Sequence, residues 1–418
     1  MKLTNYLNNG GFVYGGSAGS IIFGKDIIGT TYGDENSVGL KDTKGLNLVK
    51  GYNICCHFGN GDEADTKYKR DRIKEYSTSS DITIALPENC AIYVEEETIT
   101  FFGSGALMFY IKKNKFYIMS GKVNKMNYTK YTHIYKHNDL YALGLDAYIP
   151  VNPVKNMSVV IYMHGGALIW GSRETVSENE VNAIIGEKMA YISIDYRLAP
   201  ETKLMDIKAD IEDAIRWVQE EGVRLYNFDA NRVAVLGKSA GGYLALLSGI
   251  FQNRPNAIVS FYGYGDILGD WYSLPSPYYI KSPLVSQDEA EKCITSDILT
   301  HADYVNRWSL YLRTRQTGTW ASVVSGYEQS AIYKELTPYC PILNINAEYP
   351  PTFLLHGTED TDVPVEQSED MYSALMNMNV KAQIYIQQNG DHGFDRSWGN
   401  TPEEYGRIIC FLKESFKM

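Results

Sequence analysis

No run of about 18 apolar residues occurs in the 418-residue chain, so no membrane-spanning helix is expected. Near Met1 no basic stretch leads into a long apolar one, so no secretory signal is read and a cytoplasmic location is expected. Cysteine is sparse: Cys55, Cys56, Cys90, Cys293, Cys340 and Cys410 form no C-x-x-C pair, which argues against a disulfide framework and for reduced thiols. Positive charge is in deficit. The 39 Lys and Arg against 50 Asp and Glu leave a net charge of −11, which disfavours nucleic acid and anionic membranes but not a small ligand. No phosphate-cradling G-x-x-x-x-G-K-[ST] segment is present. His133 and His137 lie in an alternating, strand-like stretch, too far apart for easy chelation, and Asp62, Glu63 and Asp65 lack EF-hand spacing. No metal is expected.

What is present suits a globular protein. Hydrophobic residues at 44% and charged residues at 21% exclude wholesale disorder, and the length allows two or three domains. Two segments differ in character, with the join in the polar stretch 120–130; the expected division is 1–122 and 123–418. The first reads as a small meander, with strands at 81–86, 90–94, 97–102, 106–111 and 115–119. The second alternates strand and helix. Apolar runs at 159–163, 190–194, 233–236, 257–261, 352–355 and 382–386 suit buried strands. Ile207, Ile211, Ala214, Ile215 and Val218 follow helical spacing, with Gly222 as the expected stop. Thr401-Pro402-Glu403-Glu404 opens a last helix as a capping box. This alternation predicts an α/β fold: a mostly parallel sheet with helices on both faces. The aromatic-rich segment Asp266 to Pro350 interrupts it and is read as a lid-like insertion.

Four motifs, each after a strand, carry chemistry. Gly237-Lys-Ser239-Ala-Gly241 matches G-x-S-x-G between a strand and a helix, the setting of a nucleophile elbow. His164-Gly165-Gly166-Ala167 ends a strand, where small residues let backbone amides face an oxyanion; Ala240 adds another amide at a helix N-terminus. Asp360 and Asp362 are both placed to orient a histidine, and His392 in Asp391-His392-Gly-Phe394 suits a general base. The order Ser239, then Asp, then His392 is that of α/β-hydrolases.

With HGGALIWGS at 164–172, DYRLAPE at 195–201, GKSAGG at 237–242, HGTEDTDVP at 356–364 and DHGF at 391–394, residues 128–418 resemble the hormone-sensitive-lipase-like esterases of the α/β-hydrolase fold. The resemblance implies Ser239 as nucleophile, His392 as base and Asp360 as acid, from its place in HG-x-x-D-x-x-V-P. It implies Gly166, Ala167 and Ala240, with Gly165 beside them, as the oxyanion site, and Asp195 and Glu201 as structural. Ala167 replaces the third glycine of the usual HGGG, Lys238 replaces the usual aspartate before the serine, and the long insertion follows the sixth strand rather than lying near the start of the domain.

A second G-x-S-x-G, Gly15-Gly-Ser17-Ala-Gly19, follows Phe12-Val-Tyr14, read as a short strand. Together with Cys56-His57-Phe58 and Leu86-Pro87-Glu88-Asn89 it resembles the peptidase E-like serine peptidases, which implies Ser17, His57 and, loosely, Glu88 as a second site. The segment reads as the C-terminal part of such a peptidase, joined to a complete esterase-like domain. Ser17 is therefore expected to be idle, since a site needs its whole support; three alternatives stay open for the segment, namely pairing with a separate chain, forming a dimer, or being a relic. The expected function is a cofactor-free serine hydrolase of small or medium carboxylic esters. A serine peptidase and a non-catalytic binding module are the alternatives.

Overall fold

The structure is a computed structural model. It describes residues 127–398 and 402–418, and between 1 and 126 the stretches 13–16, 18–27, 44–49, 51–58, 67–71, 82–87, 90–95, 98–103, 107–111, 114–118 and 121–124 with Tyr6, Asp42 and Ile73. The chain divides into two compact units, Met1–Met126 and Asn127–Met418.

In the first unit, β1 (Tyr52–Cys56) pairs in parallel with β2 (Ile82–Leu86). After β3 (Cys90–Glu95) and β4 (Thr98–Gly103) come β5 (Leu107–Ile111), β6 (Asn114–Ile118) and β7 (Gly121–Asn124). The strands do not form one meander. Among the described residues they form two sheets, β1-β2-β5-β6 and β3-β4-β7. The reason lies in the apolar residues: Ile99 and Phe101 of β4 share a core with Tyr52, Ile54 and Ile84, so the β3–β4 hairpin covers a face of the first sheet instead of extending its edge. The residues expected as a strand before Ser17 are irregular at 13–16.

The second unit holds one sheet. A hairpin, β8 (Tyr128–His137) and β9 (Ala142–Pro150), precedes β10 (Met157–Met163), β11 (Ala190–Ile194), β12 (Phe228–Lys238), β13 (Ala257–Phe261), β14 (Thr352–Gly357) and β15 (Ala382–Gln387). The spatial order is β15-β14-β13-β12-β10-β11-β9-β8; the pairs from β11 to β15 are parallel and β9 is antiparallel to both neighbours. Along β10, Val159, Ile161 and Met163 face one core while Val160 and Tyr162 face the other, the period-two pattern of a strand buried on both sides. Helices Leu204–Trp217 and Ala240–Ser248 cover the first face; Glu178–Gly186 and Pro402–Phe416 cover the second. The insertion belongs to the first core through Tyr272, Leu310, Tyr311 and Trp320.

Gly222 does not end its helix. Leu204–Trp217 runs through a π turn, Val218–Gly222, into Val223–Tyr226, and Asn227 at φ 59° closes it. Gly222 has an ordinary helical φ of −60°. A Cβ there would lie 2.7 Å from the Phe228 ring, so the glycine serves close packing, not a cap. Among the described residues no helix is long and apolar enough to cross a membrane.

Candidate active site

Ser239 sits between the end of β12 and the start of helix Ala240–Ser248, at φ 56° and ψ −120°. A non-glycine residue in such a sparsely populated region costs about 1–3 kcal/mol and persists only where its surroundings impose it. The flanking glycines make the turn sterically possible. A Cβ on Gly237 would lie 2.0 Å from the Gly241 carbonyl oxygen, and one on Gly241 the same 2.0 Å from that of Met163.

His392 lies beyond β15 and Asp360 beyond β14, at the same end of the sheet as the turn after β12. The Ser239 hydroxyl is 3.0 Å from His392 Nε2, and His392 Nδ1–H donates to Asp360 Oδ2 at 2.7 Å. The other Asp360 oxygen accepts the amides of Asp362 and Val363, each at 2.9 Å. Buried His356 adds a contact at 3.3 Å to Asp360 and is itself held by Ser368 and the Val363 carbonyl. Burial would raise the Asp360 carboxyl, but hydrogen bonds from His356 and His392 hold it well below the usual carboxylate range. Burial would lower the His392 imidazole; the Asp360 hydrogen bond and the charges of Asp362 and Asp360 outweigh it and raise the imidazole above its ordinary value. Of the two aspartates open from sequence, Asp360 meets Nδ1, and Asp362 ends 3.6 Å from Nε2.

The 164–168 loop passes beside the serine: a Cβ on Gly165 would lie 3.3 Å from Ser239 Cβ. Gly166, Ala167 and Leu168 take successive positive φ values of 114°, 55° and 64°. The loop's carbonyls are engaged. His164 O accepts Tyr196 Oη–H, Gly165 O accepts His164 Nδ1–H, Gly166 O accepts the amides of Ile169 and Trp170, and Ala167 O accepts Trp320 Nε1–H. No hydrogen bond among the described residues uses the amides of Gly166, Ala167 or Ala240. Burial lowers His164 to about 4, so the ring is neutral.

Sequence reasoning missed the part played by the insertion. Its helix Tyr304–Thr317 carries two buried arginines. Arg307 donates to Glu201, to the Ala199 carbonyl and, in the loop after β10, to the Ile169 carbonyl at 3.0 Å. Arg315 donates to Asp362 Oδ1 at 3.1 Å and to its carbonyl at 3.0 Å, and Tyr311 donates to the same carboxylate oxygen. Asp195, read as structural, accepts from Arg173. A charged residue in a helix of an insertion leaves no local trace of what it will meet; only Glu201, in DYRLAPE, marked one end of these contacts.

Ser17 and Glu88 lie outside the described residues, as do Asp62, Glu63 and Asp65. His57 is exposed, and its carbonyl accepts Lys69 Nζ–H at 3.0 Å. His133 bonds to the Tyr226 hydroxyl. No group of three metal-ligating side chains exists among the described residues.

The strand order and the turn bearing Ser239 define an α/β-hydrolase fold. The BD-FAE family profile matches residues 145–375, more than half of the chain, and the protein belongs to that hormone-sensitive-lipase-like family. Peptidase family S51 matches residues 1–102. The fold is shared with a Staphylococcus aureus subsp. aureus Mu50 protein of unknown function, at 24% identity and TM-score 0.54 over 69% of this chain and 99% of that one. An α/β hydrolase superfamily protein from Enterococcus faecalis gives 22% identity and TM-score 0.50 over 68% and 98%. The non-reducing polyketide synthase ausA of Penicillium brasilianum is 29% identical over 293 residues, 58% of this chain and 12% of that protein. Preu6 of Preussia isomera, another non-reducing polyketide synthase, is 28% identical over 318 residues, 68% of this chain and 14% of that protein. The chain thus spans a small part of the curated relatives it matches.

Proposed function

We propose that the second unit is a serine hydrolase that cleaves carboxylic esters of small or medium substrates. One observation carries the reading: the unbroken chain of hydrogen bonds from Ser239 through His392 to Asp360. Ser239 Oγ attacks the ester carbonyl carbon while His392 Nε2 takes its proton, and Asp360 steadies the imidazolium. The amides of Gly166, Ala167 and Ala240, with Gly165 giving the loop its close approach, receive the oxyanion. His392 then protonates the departing alcohol, leaving an acyl group on Ser239. Water, deprotonated by His392, attacks that acyl group and releases the carboxylic acid. The insertion supplies an aromatic wall: Trp170 packs against Tyr304 and Tyr311, and Trp308 against both of these.

The test pairs p-nitrophenyl esters with aminoacyl anilides and adds fluorophosphonate labelling with peptide mapping. Ester turnover, labelling at Ser239 and loss of both in Ser239→Ala are expected. Faster anilide cleavage would make it a peptidase, labelling at Ser17 would move the site, and neither turnover nor labelling would leave a binding module.

A further inference from the structure

Lys238, the residue beside Ser239, stands where the resemblance called for an aspartate. It is the last residue of β12, and its side chain is 12% exposed. Its Nζ donates to Asp395 Oδ2 at 2.7 Å and lies 2.8 Å from Glu180 Oε2. Those carboxylates are 3% and 0% exposed. Asp395 is three residues past His392, in the turn Phe394–Ser397; Glu180 is in helix Glu178–Gly186. The remaining oxygens are also taken: Tyr262 Oη–H donates to Asp395 Oδ1 at 2.7 Å, and Tyr191 Oη–H donates to Glu180 Oε1. The Tyr262 ring in turn packs on the His392 imidazole with centroids 4.7 Å apart. The Phe261 ring lies 5.3 Å from the ammonium.

We propose that Lys238 is a positioning residue of the hydrolase: through Asp395 it fastens the loop carrying His392 to the turn carrying Ser239. The proposal rests on the ester-hydrolase reading above. One cation here serves two carboxylates whose burial keeps bulk solvent from screening them. Without it, two like charges face each other and the Asp395 segment moves away from β12. His392 is three residues along that segment, and its ring rests on the tyrosine that Asp395 holds. A misplacement of about 1 Å costs roughly 100-fold in rate. Burial would lower the Lys238 pKa, but Glu180 and Asp395 raise it well above the ordinary value, so the ammonium stays charged.

The experiment measures p-nitrophenyl butyrate turnover and fluorophosphonate labelling by the full chain and by Lys238→Met, Asp395→Asn and the double variant. Lys238→Met is expected to lower kcat roughly 100-fold and to slow labelling in proportion, with KM changed by no more than about twofold. Lys238 and Asp395 act through one contact, so the double variant is expected to be no slower than the slower single one. If unpaired carboxylates unfold Lys238→Met, the variant E180Q/K238M/D395N removes all three charges; folded and slow, it supports the proposal. A folded Lys238→Met or triple variant with wild-type kcat overturns it, as do multiplicative effects in the double variant. A wild-type chain that neither turns over esters nor labels at Ser239 sinks the ester-hydrolase reading instead.

Discussion

The Asp362 carboxylate ends 3.6 Å from His392 Nε2, the ring nitrogen that faces Ser239, while Asp360 binds the opposite nitrogen. The imidazole therefore has a carboxylate at each end. Arg315 and Tyr311 hold the outer one from the insertion, and Arg396 is a cation acting on the ring in the opposite sense.

This arrangement sets the direction of a pH effect. The proposed base works only when neutral, so activity is lost as pH falls through the raised His392 pKa. The charge of Asp362 favours the imidazolium; removing it lowers that pKa. Asp362→Asn should move the acid limb of kcat/KM to lower pH, measured with a p-nitrophenyl ester from pH 4.5 to 9. An unmoved limb, or one shifted upward, contradicts the electrostatic role.

Asp360→Asn tests the inner carboxylate. An amide retains an oxygen for the Asp362 and Val363 amides, but its NH2 then meets His392 Nδ1–H, two donors face to face. The ring is driven to the wrong tautomer, and kcat should fall by about 10⁴-fold with the fold retained. In the parent protein the depressed Asp360 pKa contributes stability that is complete above the unfolded carboxylate pKa and is lost as pH falls toward the folded one. Acid titration of the urea midpoint should show a shallower fall in Asp360→Asn.

Much of the second unit was legible because strands buried on both faces are apolar runs, as at Val159 to Met163, and because the elbow glycines have no side-chain substitute. Position in the chain then placed Ser239, Asp360 and His392 at the ends of β12, β14 and β15. Contacts set by tertiary structure were not legible. Gly222 looked like a stop because the sequence does not display Phe228 against it. The apolar alternation of β3 and β4 says that they pair, not that they fold over a neighbouring sheet. Lys238 could be marked as a departure, yet its partners Glu180 and Asp395 lie far away in sequence on either side.

Arg307→Met should cost stability. Arg307 and Glu201 are 2% and 3% exposed, so deleting the guanidinium strands a buried carboxylate, at about 3–5 kcal/mol. Urea unfolding of the single variant and of Arg307→Met/Glu201→Gln measures it; the second change should recover part of the loss. A single-variant loss below about 1 kcal/mol, as for an exposed pair, would show the site to be wet.

Trp320→Phe separates the insertion's packing from its hydrogen bond. The indole stacks on Tyr272 with centroids 4.1 Å apart, and a phenyl ring keeps that contact. What disappears is the Nε1–H donor to the Ala167 carbonyl at 2.9 Å, leaving a buried acceptor unpaired at a cost of about 1–3 kcal/mol. Ala167 holds a left-handed φ of 55° with that carbonyl fixed. Released, the Ala167–Leu168 peptide can rotate, and the adjoining Ala167 amide, proposed above to receive the oxyanion, shifts with it. The oxyanion exists only in the transition state and the intermediate, so the loss should fall on kcat and not on KM. A drop of roughly tenfold or more in kcat at constant KM is expected, where one full donor is worth about 2.7–4 kcal/mol of barrier. Unchanged kcat alongside a lowered urea midpoint would confine Trp320 to holding the fold.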